Sequence, residues 1–256
     1  MAHIHPKALV SKKANLSAEV EVGPYTIIND NVTIGKGTKI GASCVLDGHT
    51  TVGENCRIFT GAVVGSIPQD LKYKGETSYL EVGDNNIIRE YCTLNTGTGV
   101  GGKTIIGNNN LLMAYSHIAH DCIVGDECII ANNGTLAGHV VIEDKAVVGG
   151  LVAIHQFTRI GRLSIIGGCS KVVQDIPPFA TSDGHPARTY GLNIVGLRRV
   201  NLSREAISSL RQAFKILFNS GLATTHAIEK ITAELKPTEE ISYLLDFIKS
   251  SKRGVC

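Results

Sequence analysis

The chain has 256 residues, 43% of them hydrophobic and 19% charged, with a formal charge of +2; this excludes a disordered chain and a charge-driven nucleic-acid or membrane-surface binder. Glycine accounts for 28 residues, tryptophan is absent and aromatics reach only 5%, so the core is aliphatic, and the length fits one large domain with a small appendage. The first thirteen residues carry no signal-peptide-like apolar run, no stretch is apolar enough to span a membrane, and the seven cysteines form no Cys-x-x-Cys pair. A cytoplasmic protein with reduced thiols, bound to no nucleic acid and not inserted in a membrane, is the expectation.

From Ile4 to Val172 every sixth residue is Ile, Leu or Val, Asp70 and Glu76 excepted. A mostly small residue stands four positions after each, as at Ala8, Thr26, Cys44, Cys56, Cys92, Cys122 and Cys128, and glycine often follows the aliphatic residue directly, as at Gly53, Gly107 and Gly125. Such hexads read as a short strand and a turn, three to a triangular coil of eighteen residues, stacked into a parallel β-helix. The cysteines then serve as small inward packing residues. The pattern resembles the left-handed β-helix of the hexapeptide acyltransferases, and the hand is what that resemblance implies.

In chain order, this predicts a mainly β protein: a left-handed parallel β-helix over 1–176, a connector over 177–190 and a C-terminal α-helical domain over 191–256. External loops interrupt the hexads at about 65–81 and 95–105, and the paired prolines of DIPPF end the ladder. Ser203 is placed to cap a helix reaching Asn219, Thr225 to start one ending before Pro237, and Thr238 to start a third.

Positions eighteen apart share a column. Ile118, Leu136 and Ile154 form one, which sets His120, His139 and His155 on one edge with His117 at the preceding corner. Val64, Val82 and Val100 fall in the same count, so the first loop should leave from the histidine edge. A polar cluster gives a β-helix wall no packing benefit, and three readings remain open: edge capping, a zinc site of histidines as in carbonic anhydrases of the γ class, or one catalytic base with polar neighbours.

The segments QDLKYKGE (69–76), NNNLLMAYSHIAHDC (108–122), ANNGTLAGHV (131–140), AIHQF (153–157), GGCS (167–170) and GLNIVGLRR (191–199) resemble the UDP-N-acetylglucosamine acyltransferase family, which begins lipid A biosynthesis. The likeness runs over effectively the whole chain and favours the single base, with no metal and no cofactor. It implies transfer of a 3-hydroxyacyl chain from acyl carrier protein to the 3-position of the sugar nucleotide, in a homotrimer with sites between subunits.

The same resemblance implies His120 as general base, Asp121 as its orienting partner and the Gly138 N–H as oxyanion donor. It also implies Asp70, Lys72 and His117 at the sugar, His139, His155 and Gln156 at substrate polar groups, and Asn193, Arg198 and Arg199 at the uridine diphosphate. Gly168 is implied as acyl-length selector, a glycine leaving room for a longer chain. A sequential His120–Asp121 pair requires a backbone corner, because neighbours in a straight strand point to opposite faces. Arg159, Arg162 and Lys171 are placed either to meet the carrier protein or as ordinary surface charges. Val195 and Val200 depart from the family pattern, which leaves a 3-amino sugar nucleotide open as the alternative acceptor.

Overall fold

In the computed structural model, which covers Met1–Cys256, the six-residue period becomes three sheets. The first has eleven strands beginning at His3–Ile4, the second nine from Leu9–Val10 and the third eight from Asn15–Leu16. Most strands are two residues long and pair in parallel with the strand one coil away, as His3–Ile4 does with Glu21–Val22. Successive side chains on a strand face opposite ways. The second residue of each pair therefore points inward, and Ile34, Leu46, Ile88, Ile118 and Leu136 have no exposed surface, whereas the preceding Lys39 and Arg57 face water. Cys44, Cys56, Cys92, Cys122 and Cys128 fill the small inward positions as buried free thiols. Burial pushes the thiols of Cys122 and Cys128 up to about 12, so they stay uncharged packing groups.

Two different devices turn the chain. The corners use left-handed residues, among them Asn55, Asn85, Asp121, His139 and Phe157, with φ between 54° and 62°. The glycine after the aliphatic position serves close approach instead: a Cβ at Gly53 or Gly107 would stand 2.7 Å from the backbone of the next coil's glycine.

Both loops leave between the second and third sheets. The first runs from strand Val63–Ser66 to Tyr79–Val82, the second from Thr93–Asn95 to Lys103–Ile106. They correct the expected column. Val64 pairs with Leu94, and Leu94 with Ile118, so Val64 does share the sheet of His117. Val82 pairs with Val52 and Ile106 in the third sheet, and Val100 is exposed in the second loop. Each loop inserts whole hexads, which preserves the phase of six while breaking the count of eighteen.

Ile176 bridges to Ile160, and the segment read as a connector is in part an antiparallel hairpin, Ala180–Gly184 with Ala187–Leu192, added to the first sheet. Four helices follow: α1 (Ile194–Arg199), α2 (Arg204–Asn219), α3 (Thr224–Glu234) and α4 (Glu239–Ser250). Ser203 and Thr238 cap α2 and α4, while α3 starts at Thr224 with no side-chain cap. The short α1, with Gly196 inside it, has no counterpart in the apolar spacing.

Arg159 and Arg162 prove to be fastenings for these helices. The Arg159 guanidinium lies 3.7 Å from the Phe247 ring centre and 3.2 Å from Glu143 Oε1, an ion pair without the alignment of a hydrogen bond. Arg162 lies 3.8 Å over Tyr243, whose hydroxyl donates to Glu143 Oε2 at 2.6 Å. Aromatic rings pack on both arginines, which stay half-exposed, and Lys171 is exposed.

Candidate active site

One edge of the prism, between the second and third sheets, carries both loops and the histidines. Three consecutive coils place Asp121, His139 and Phe157 at the same left-handed corner, with φ of 58°, 60° and 62°. This turn supplies the corner that a sequential pair requires. It sets His120 Nδ1 2.9 Å from Asp121 Oδ2, and His139 Nε2 lies 3.6 Å from the same oxygen.

Asp121 is held from the second loop. The Thr98 N–H donates to Oδ1 at 3.0 Å and its hydroxyl to Oδ2 at 2.6 Å, while the Asp121 N–H donates to Thr104 Oγ1 at 2.8 Å. Burial opposes the carboxylate, but the hydrogen bonds from Thr98 and His120, with His139 nearby, outweigh it and hold the carboxyl below its ordinary 3.8. An ionised Asp121 assigns the His120 proton to Nδ1, leaving Nε2 as a lone-pair acceptor with no partner in the chain.

Gly138 permits this arrangement, because a Cβ there would stand 2.6 Å from His120 Nε2. Its carbonyl accepts from the Phe157 N–H at 3.2 Å, yet its own N–H, in a buried residue, donates to no protein atom. The N–H groups at the same position in the adjacent coils, of His120 and Gln156, likewise donate to no protein atom. His139 is fixed between two rings, edge-on to His120 at 5.2 Å and stacked on Phe157 at 4.6 Å.

His117 lies on a strand of the second sheet rather than at a corner, with Nδ1 2.7 Å from Thr93 Oγ1. Burial, reinforced by His120, holds its pKa below the ordinary 6.5. His155 and Gln156 are exposed one coil beyond His139, the His155 Nδ1 lying 3.1 Å from the Gln156 carbonyl oxygen. Asp70 and Lys72 sit on the first loop, where Asp70 Oδ1 accepts the Lys72 N–H at 2.9 Å and the lysine side chain is unpaired and exposed.

Four sequence-derived candidates stand apart within one chain. Gly168 occupies the corner between the first and second sheets, exposed, where a Cβ would meet the Gly150 carbonyl oxygen at 3.2 Å. Asn193 is engaged by the fold: Oδ1 accepts from Gly196 N at 3.0 Å to cap α1, and Nδ2 donates to the Leu163 carbonyl at 2.9 Å. Arg198 and Arg199 are exposed in the last turn of α1, Arg198 lining a cleft of about 760 Å³ with Ser203, Arg204 and Arg211. A cavity of about 950 Å³ lies along the first sheet near His3, Lys39 and Arg57, away from the histidines.

Sequence reasoning missed Thr98, Thr104, Thr93 and Phe157. Phe157 lay within AIHQF, eighteen residues after His139, and its corner position was readable. Thr98 had no such signal, because the loop suspends the register. The histidines do not converge as a set; His120, Asp121 and His139 alone bring ligand atoms within 4.8 Å of one another. A cation there would have to displace hydrogen bonds already made to Asp121.

Comparison with known proteins places these features in a lineage. Residues 175–256 match the family described as UDP N-acetylglucosamine O-acyltransferase, domain 2, and residues 103–138 match the bacterial transferase hexapeptide family. The acyl-[acyl-carrier-protein]–UDP-N-acetylglucosamine O-acyltransferase of Thermodesulfovibrio yellowstonii is 51% identical over 257 residues, covering 100% of both chains. That of Myxococcus xanthus is 49% identical over 256 residues, covering 100% of this chain and 99% of its own. Among solved structures, the UDP-N-acetylglucosamine acyltransferase of Bacteroides fragilis superposes with a TM-score of 0.96 at 43% identity, covering 98% of this chain and 99% of its own. The Acinetobacter baumannii protein gives 0.94 at 46%, covering 98% of each. The fold is thus the left-handed parallel β-helix with helical C-terminus, and with relatives about half identical over its whole length the chain belongs to the UDP-N-acetylglucosamine O-acyltransferase family.

Proposed function

We propose that this protein transfers a 3-hydroxyacyl group from acyl carrier protein to the glucosamine 3-hydroxyl of UDP-N-acetylglucosamine, the first step of lipid A biosynthesis. The observation that carries the reading is His120, held by Asp121 and lying over a glycine whose N–H has no partner. His120 Nε2 takes the proton of the hydroxyl as its oxygen attacks the thioester carbonyl. The oxyanion that forms is met by the Gly138 N–H. Collapse breaks the carbon–sulfur bond, and the departing thiolate takes the proton back from His120. Positioned proton transfer contributes about 10²–10⁴ in rate and one oxyanion donor about 10²–10³. Asp121 stabilises the imidazolium between the two steps.

Lys72, Asp70 and His117 then lie on the acceptor side, with His139, His155 and Gln156 along the substrate. The thioester arrives activated, so the reaction needs no cofactor. Gly168, Arg198 and Arg199 lie away from the histidine edge of their own chain. A site that uses them as selector and nucleotide contacts needs a second subunit, which supports a homotrimer with clefts between chains. Asn193 would contribute through the turn it caps. Seven free thiols and the lack of any helix long and apolar enough to cross a membrane fit a cytoplasmic enzyme.

The test crosses UDP-N-acetylglucosamine and its 3-amino analogue with carrier proteins bearing 3-hydroxyacyl chains of several lengths. An ester product, cleaved by hydroxylamine, is expected from the hydroxyl acceptor, with the open Gly168 favouring longer chains. Amide formation alone would overturn the acceptor. In a folded His120→Ala variant kcat falls by about 10²–10⁴; activity above a few per cent would remove His120 as the base.

A further inference from the structure

The second loop leaves the prism directly above Asp121. Leu94 pairs with Ile118, so the residue in register above Asp121 is Gly97, and the chain departs there instead of turning. The loop is built on glycine: Gly99 and Gly101 have φ of 70° and 76°, and a Cβ on Gly102 would run into the Thr98 backbone. Backbone bonds from Gly97 to Tyr79 (3.1 Å), Gly101 to Thr77 (2.9 Å) and Gly102 to Gly99 (3.2 Å) hold it closed. Its outer residues, Gly99, Val100 and Gly101, are exposed and add nothing to the core. Thr98, half-buried at the foot of the loop, gives both its donors to the Asp121 carboxylate, the hydroxyl to the same Oδ2 that accepts from His120.

We propose that Thr98 is a positioning residue for the transfer reaction: it clasps Asp121 so that the carboxylate keeps the His120 proton on Nδ1 and its lone pair on Nε2. This rests on the acyltransferase reading given above. Without the hydroxyl, Asp121 can rotate about its own side-chain bond, and the imidazole loses the partner that selects one tautomer. The backbone N–H of residue 98 survives replacement by valine or serine, so the hydroxyl alone is at stake.

Thr98→Val keeps the shape and removes the hydroxyl; Thr98→Ser keeps the hydroxyl. The valine variant should lower kcat about tenfold, the scale of one hydrogen bond to a charged group, with KM for the sugar nucleotide within about twofold. The serine variant should retain more than half of the wild-type kcat. In an Asp121→Asn background the valine substitution should add little, because its target is gone. Histidine ring ¹⁵N spectra read the same point without turnover: His120 should be the Nδ1–H tautomer in wild type and in the serine variant, and a tautomer mixture in the valine variant.

Wild-type ring shifts and kcat in Thr98→Val would overturn the clasp, as would an undiminished effect in the Asp121→Asn background. Should the valine variant not fold, loss of the wild-type ring signal in Thr98→Ser has the same force, and its retention supports the clasp. A changed ring signal in a protein that acylates no sugar nucleotide leaves the clasp standing and removes the substrate assignment.

Discussion

The edge between the third and first sheets and the edge between the second and third are built from the same hexads, and both carry acidic side chains at their corners. On the former every one of a series is answered by the neighbouring coil. Asp84, Asn108, Asp126 and Asp144 each accept, through Oδ1, the backbone N–H of Glu54, Asp84, Asn108 and Asp126 respectively, at 2.6–2.8 Å. On the latter edge Asp121 is answered by the Thr98 loop, while the Gly138 N–H and His120 Nε2 are left without partners. A corner carboxylate is therefore no sign of chemistry in this fold. What sets Asp121 apart is the imidazole it holds, whose Nε2 lies over the Gly138 backbone where a Cβ would stand 2.6 Å away.

The contrast can be broken most sharply at Gly138. Gly138→Ala pushes a methyl into the His120 ring and, by displacing the base, should cost about 10²–10⁴ in kcat, with circular dichroism unchanged; a fully active variant would show that the ring need not lie over this backbone. Asp126→Ala on the other edge should do the reverse. Denaturant unfolding is expected to show a loss of about 1–2 kcal/mol from the unanswered Asn108 N–H, with kcat at the wild-type level; an equal fall in kcat would mean that the two edges are not separable.

Further along that edge Glu143 accepts from Tyr243, whose phenol is raised well above its ordinary value by burial and by the carboxylate, and so remains a donor. Tyr243→Phe keeps the ring against Arg162 and should cost about 1 kcal/mol, seen as a lower melting temperature without loss of transfer. The smallest effect concerns His117. Its folded pKa lies below 6.5, so between that lower value and 6.5 the unfolded chain binds the extra proton. Its contribution to stability is present above 6.5 and is lost as pH falls through this window. His117→Gln should flatten the decline of melting temperature over that range, and an unchanged slope would remove the burial argument.

Much of this was legible in the hexads. The aliphatic and small positions specify the inward faces, and HIAHDC with AGHV places His120 and His139 on successive coils, whereas the first sheet runs on past DIPPF through Ala180–Gly184. The loops defeated the column count at Val82 and Val100, since only strand pairing reveals which hexads an insertion skips. The structural partners of Arg159, Arg162 and Asn193 were hidden for a related reason. A cation or amide in sequence carries no mark of whether an aromatic ring, a helix end or a substrate will meet it.

The sequence by itself determined the β-helix, its interior and the edge on which the histidines stand, because a two-residue strand leaves each side chain only two directions and a period of six repeats that choice. Tertiary structure alone decided which polar groups are satisfied. The Thr98 grip on Asp121, the space over Gly138 that a single Cβ would close, and the rings that pack on Arg159 and Arg162 all join residues whose separation follows no repeat. Their meeting depends on where loops and helices return, and the physical choice between structure and chemistry at each corner is made there.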